Sequence, residues 1–181
     1  MRIVAGEFRG RTLKSPTWDG LRPTSDRLRE TLFNILGPSI VGARVLDGYA
    51  GTGAIGIEAL SRGAASVTFV ERDPRAVRLI ETNLAMLGEA CAGDRAIIRA
   101  GFADAVERLA GASFDLIIVD PPYTHDATET ALPAAAAVAG PSTRVVVEHA
   151  KRYPAPAGAG ALRLRRTVTA GDSALSFYEH S

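Results

Sequence analysis

An acid, two prolines and an aromatic ring, Asp120-Pro121-Pro122-Tyr123, close the apolar run Phe114-Asp115-Leu116-Ile117-Ile118-Val119. Such a corner at a strand end suits a planar amine. The Asp120 carboxylate accepts one N–H of the amine, and a backbone carbonyl beside proline accepts a second, because the prolines fix the turn that aims it. The Tyr123 ring stacks on a flat substrate. The chemistry this fits is transfer of a methyl group to an exocyclic amine. The tetrapeptide alone also reads as a Pro-Pro turn after a buried strand, with Asp and Tyr as ordinary turn residues, so a second motif has to carry weight.

That motif is Val45-Leu46-Asp47-Gly48-Tyr49-Ala50-Gly51-Thr52-Gly53, followed by the helical stretch Ala54-Ile55-Gly56-Ile57-Glu58-Ala59-Leu60. Glycines there permit a tight turn and close approach of a ligand to the main chain. The run Gly51-Thr52-Gly53-Ala54-Ile55-Gly56 is a literal G-x-G-x-x-G, weak evidence by itself for a dinucleotide. Glu71 ends the next apolar run, Ser66-Val67-Thr68-Phe69-Val70, and is placed to accept ribose hydroxyls of a nicotinamide or an adenosyl cofactor. Asp47 separates these choices. A pyrophosphate is repelled by an acid facing the turn, whereas S-adenosylmethionine carries an ammonium and a sulfonium that an acid attracts. The plainer readings are that Asp47 satisfies loop amides and that Glu71 is a solvated strand-end acid.

Composition bounds the rest. The chain has 181 residues, 46% of them hydrophobic, which suits one domain with an appendage. The opening Met1-Arg2-Ile3-Val4-Ala5-Gly6-Glu7 lacks the apolar core of a secretory signal. The Ala-rich run 134–139 is too short to span a bilayer. Cys91 is the single cysteine, so an internal disulfide is excluded and a cytoplasmic setting is expected. His125, His149 and His180 are scattered, and no spacing suggests a metal site. Residues 1–36 hold seven Lys or Arg against four acids, residues 37–150 nine against fourteen, and residues 151–181 five against two. An acidic body with basic ends suits a cationic cofactor and a polyanionic substrate, although solvated surface charge explains counts of this size equally well.

The periodicity predicts alternating strands and helices. Residues 2–14 read as a hairpin with Gly6 and Gly10 near its turns. Thr24 or Ser25 caps a helix running to Leu36, with Leu28, Leu32, Ile35 and Leu36 on one face and Gly37-Pro38 ending it. Strands follow at 43–47, 66–70, 95–100, 114–119 and 143–148, with helices at 53–62, 74–87, 103–110 and 126–138 between them. Strands 161–169 and 173–179 read as a closing antiparallel hairpin across Gly171-Asp172. The fold class expected is α/β: a doubly wound, mostly parallel Rossmann-like sheet with an antiparallel C-terminal hairpin and a small N-terminal hairpin-and-helix extension. Continuous apolar strands fit a sheet covered on both faces. Ligands in such sheets bind beyond the carboxyl ends of the strands, where Asp47, Glu71, Phe102 and Asp120 all fall.

With these residues in place, the chain resembles the class I S-adenosylmethionine-dependent methyltransferases. Within them it is similar to the family of bacterial 16S rRNA guanine-N2 methyltransferases of the small ribosomal subunit. The close features are Arg2-Ile3-Val4-Ala5-Gly6, Arg9-Gly10-Arg11, the stretch from Leu21-Arg22-Pro23-Thr24 to Leu36, Gly56-Ile57-Glu58-Ala59-Leu60-Ser61-Arg62-Gly63-Ala64, and Asp120-Pro121-Pro122-Tyr123. The basic N-terminal stretch is the specific part. Tyr49 and Thr52 stand where the family has Phe and Ser, and Ala170-Gly171 where it has Tyr-Gly.

The resemblance implies a division into an RNA-contacting extension, residues 1–36, and a methyltransferase domain, residues 37–181. It implies a cofactor set of Asp47, Tyr49, Gly51, Gly53, Glu71, Arg72, Phe102, Ala103 and Asp120, with Phe102 and the Ala103 backbone at the adenine because Asp104 already falls on the next helix. Asp120, Pro121, Pro122 and Tyr123 are the catalytic set. A guanine N2 amine, its lone pair delocalised into the ring, attacks the sulfonium methyl in line, so orientation is the main task of the site. The base must be splayed out of any helix. Arg9, Arg11, Lys14, Arg22, Arg27 and Arg29 are candidate phosphate contacts. The expected partner is 16S rRNA in the small subunit or its assembly intermediate, with no membrane and no metal, and the chain is expected to act as a monomer. Rival readings are an adenine-N6 nucleic-acid methyltransferase, a protein-glutamine methyltransferase, a nicotinamide-dependent oxidoreductase and a silent RNA-binding scaffold. The first has little room here for a target-recognition region, and the second has no use for the basic stretch. Asp47 and the tetrapeptide argue against the third, and the intact glycine loop and Asp120 against the last.

Overall fold

The computed structural model describes residues 1–19, 24–88, 91 and 93–181, with the side chains of 125–127 left aside. Apolar runs form β1 (Arg44–Gly48), β2 (Ser66–Glu71), β3 (Asp94–Arg99), β4 (Leu116–Val119) and β5 (Arg144–Ala150). Helices α2 (Ala54–Ser61), α3 (Pro74–Ala85), α4 (Phe102–Arg108) and α5 (His125–Val138) connect them, and α1 (Asp26–Leu36) precedes them. A short β6 (Gly158–Ala159) and the hairpin β7 (Leu162–Ala170) and β8 (Ser173–His180) complete one sheet in the order β3-β2-β1-β4-β5-β8-β7-β6. The first five strands are mutually parallel and β8 returns antiparallel beside β5. The strand order reverses at β1, with β2 on one side and β4 on the other, which opens a crevice at their carboxyl ends.

Strand side chains alternate between two apolar layers. Val45, Val67, Phe69, Leu116, Ile118 and Val146 pack with α1, α2 and α3, whereas Leu46, Val70, Ile117, Val119, Val145 and Val147 pack with α4 and α5. Both faces are therefore dry, which is why the strands read as unbroken apolar runs. Element bounds fall within a residue or two of expectation, and Ser25, not Thr24, caps α1 by accepting from Leu28 N–H. Among the described residues no helix is long and apolar enough to cross a membrane.

The N-terminal hairpin is shorter than its pattern implies. One antiparallel bridge, Arg2 with Thr12, forms beside Ile3 N to Arg11 O (3.0 Å) and Leu13 N to Met1 O (3.0 Å). The reason is that α2 takes over the backbone of its turn. Val4 N and Ala5 N donate to the buried Glu58 carboxylate (2.8 and 2.9 Å), and Phe8 N donates to Ser61 Oγ (3.0 Å). Ile3, Phe8 and Leu13 join the same apolar layer as α1 and α2. The described residues of the N-terminal extension are thus built onto the core of the sheet.

Candidate active site

Asp47 lies in the buried part of β1, one residue before its end, and faces α2. It is only 1% exposed, and its Oδ2 accepts from Gly56 N–H (2.9 Å) at the first turn of that helix. Burial, opposed by the Gly56 bond and helped by the charges of Asp120 and Glu71, raises its carboxyl to about 7. Those two acids stand at the ends of the neighbouring strands β4 and β2, so the three carboxylates converge on one crevice. Glu71 Oε2 accepts from Gly51 N–H (2.9 Å) and Oε1 from Asp73 N–H (2.8 Å), which pins the glycine turn to β2. Asp47 therefore holds an amide of the first helical turn, close to its plainer reading, and Glu71 holds two loop amides.

Gly51 and Gly53 are in the left-handed region (φ 56° and 77°), where a side chain is strained, and Gly53 caps α2. Tyr49 adopts φ 63° as well, an uncommon conformation for an aromatic residue that is found at constrained sites. Its ring packs 5.3 Å from that of Phe102. Phe102 is buried beneath this loop, in the layer of α4, so its ring supports Tyr49 and Gly48 from below, whereas Tyr49 is half-buried and Ala103 exposed. Asp104 lies in the first turn of α4, as the sequence predicts. Arg72 is exposed after β2, and its charge bears on Tyr49.

The Asp120 corner is tied to β1 by Asp120 N–H to Gly48 O (3.3 Å). Thr24 Oγ1 donates to Asp120 Oδ2 (2.8 Å), a contact across 96 residues that brings the N-terminal extension to the acid. Sequence reading assigns Thr24 a possible cap and misses this role. Pro121 is buried and Pro122 exposed, and the Pro122 carbonyl accepts from Thr124 N–H (2.6 Å) within the turn. Tyr123 is half-buried. Its hydroxyl donates to Glu148 Oε1, and the Ser173 hydroxyl lies 2.6 Å away. Burial and the Glu148 carboxylate hold the phenol well above its ordinary pKa, so it stays neutral at physiological pH.

The basic stretch divides on inspection. Arg9, Lys14 and Arg27 are exposed. Arg11 is exposed too, but its Nη1 donates to the carbonyls of Met86 (2.9 Å) and Leu87 (3.4 Å) just beyond α3. Arg29 corrects the sequence reading. Its side chain is fully buried and donates to Arg2 O (2.8 Å), Asp26 Oδ1 (2.5 Å) and Ala54 O (3.4 Å), so it ties the extension to α2 and cannot reach a phosphate. Arg22 lies outside the described residues. A groove lined by Leu36, Asp115, Ser142, Arg144 and Glu179 opens at the amino ends of β4 and β5 and includes none of the predicted site residues.

Residues 1–179 match the family described as Conserved hypothetical protein 95. The chain is 44% identical over 131 residues to an Escherichia coli protein named Ribosomal RNA small subunit methyltransferase D, an alignment covering 71% of this chain and 63% of that relative's length. It is 33% identical over 183 residues to Bacillus subtilis YlbH, provisionally named an rRNA methyltransferase, with 99% of this chain and 98% of YlbH covered. A solved E. coli structure provisionally named the methyltransferase yhhF superposes with a TM-score of 0.82 at 36% identity, over 100% of this chain and 98% of that one.

Proposed function

From the premise that the chain belongs to the Conserved hypothetical protein 95 family, we propose that it methylates the exocyclic N2 amine of a guanine in 16S rRNA of the small ribosomal subunit, using S-adenosylmethionine. The observation that carries this reading is the convergence of Asp47, Glu71 and Asp120 at adjoining strand ends beside a proline-fixed corner. Three acids sharing a crevice, one of them driven to a pKa of about 7, form an environment that a cationic ligand relieves and a pyrophosphate aggravates. Asp47, Tyr49, Gly51, Gly53, Glu71 and the Ala103 backbone are the residues to hold S-adenosylmethionine, which supplies an electrophilic methyl group when bound. Asp120 and the Pro121 carbonyl accept hydrogen bonds from the two amine N–H groups and hold the nitrogen toward the methyl group. Tyr123 stacks on the splayed base, and as a neutral phenol it contributes a surface and no proton transfer. Arg9, Lys14 and Arg27 contact phosphates.

The test is transfer of labelled methyl from S-adenosylmethionine into small subunits and naked 16S rRNA prepared from a strain lacking the enzyme, followed by mapping of the product base. Label at guanine N2 is expected. Label at adenine N6, or in protein glutamine, overturns the assignment in favour of the corresponding rival.

A further inference from the structure

The Tyr123 hydroxyl is engaged more heavily than stacking alone requires. A ring that merely offers a face works as phenylalanine. Here the phenol gives its single proton to Glu148 Oε1, which leaves the Ser173 hydroxyl, 2.6 Å away, as donor to the phenol oxygen. Glu148 is 2% exposed on β5, one residue beyond the Val119–Val147 pair, and so level with Asp120 in the sheet. Ser173 opens β8, paired with Ala150, so the tip of the C-terminal hairpin reaches the corner. A carboxylate in a dry sheet is costly unless hydrogen-bonded, and an apolar side chain would pack β5 against β8 without that cost.

Two hydrogen bonds at the para oxygen hold the far end of the side chain and so restrain the χ1 swing that decides where the ring lies relative to Asp120. We propose that Glu148 and Ser173 are positioning residues that set the Tyr123 ring through its hydroxyl, and thereby hold the target base in the attitude that delivers its amine to Asp120. This rests on the methyl-transfer reading above. It also gives the antiparallel hairpin a task beyond closing the sheet. Phenylalanine at 123 keeps the stacking face but releases the ring, and misalignment of a weakly nucleophilic amine appears in turnover more than in binding.

The experiment measures kcat, KM for the small subunit and cofactor affinity for the intact chain carrying Tyr123→Phe, Ser173→Ala, Glu148→Gln, Glu148→Met and the double change Tyr123→Phe/Glu148→Met. Tyr123→Phe and Glu148→Met are each expected to lower kcat by roughly tenfold or more, with cofactor affinity unchanged. Glu148→Gln, which keeps an acceptor oxygen for the phenol, recovers most of the rate. The double variant is no slower than the worse single one, because both changes cut the same link. Wild-type kcat in Tyr123→Phe overturns the proposal, as do losses that multiply in the double variant. If Glu148→Met does not fold, Tyr123→Phe and Ser173→Ala decide by the same kcat criterion. A wild-type protein that transfers no methyl to any substrate overturns the parent reading, an outcome distinct from an active wild type with indifferent variants.

Discussion

Asp47 carries a pH signature. Its carboxyl is raised from 3.8 to about 7, chiefly by burial. A carboxyl raised on folding contributes stability that is fully present below its unfolded pKa and is lost as pH rises through about 7. A cationic ligand favours the ionised form. Affinity for S-adenosylmethionine is therefore expected to increase as pH climbs through about 7 and then to level, and Asp47→Asn to flatten that rise and weaken binding by about 1–3 kcal/mol. Calorimetry across the range checks this, and a wild-type affinity indifferent to pH removes the electrostatic role. Asp120→Ala is expected to abolish most turnover while leaving cofactor affinity nearly unchanged, since its carboxylate is assigned to the amine. A variant that methylates at the wild-type rate retires that assignment. Asp47, Glu71 and Asp120 were legible in the sequence because each ends an apolar run at a turn. Thr24, Glu148 and Ser173 were not, because they meet the corner only through contacts across 96, 25 and 50 residues.

Helix α2 links the glycine turn to the N-terminal extension through Glu58. Its fully buried carboxylate receives Val4 N, Ala5 N and Arg62 Nε, the last at 2.8 Å. Removing one partner of a buried, hydrogen-bonded charge pair typically costs about 3–5 kcal/mol, so Glu58→Ala is expected to destabilise the fold by that order and to expose residues 1–14 to protease. Urea denaturation with limited proteolysis measures both, and a loss under about 1 kcal/mol with an uncut N-terminus contradicts the clamp. Strands and helices were readable because period and turn residues act locally. The docking of the extension was not, since amphipathic spacing reveals a face and not its partner. For Arg29 a signal was present: with Leu32, Phe33 and Leu36 it follows the i, i+3, i+4, i+7 spacing of the buried face of α1, and only its charge marked it as solvent-facing.

At the scale of the whole molecule, the question is whether the basic extension binds RNA or only braces the fold. Arg29 braces it, and Arg11 spends part of its guanidinium on the carbonyls beyond α3, so neither discriminates cleanly. Arg9 and Arg27 do, being exposed on the extension whose Thr24 touches Asp120. Each phosphate they neutralise releases counterions and adds about 0.7–0.9 to the slope of log affinity against log salt. The double change Arg9→Ala/Arg27→Ala is therefore expected to weaken binding to the ribosomal substrate and to flatten that slope by roughly one to two units. Cofactor affinity should hold, because neither arginine belongs to the set proposed to hold S-adenosylmethionine. If the two arginines only pair with surface acids, the variant instead shows a small change in thermal stability and an unchanged slope, as exposed ion pairs contribute about 0–1 kcal/mol. Salt-titrated binding of the substrate, measured beside thermal melting of the free protein, separates the two cases, and an unaltered slope withdraws the phosphate-contact role from both residues.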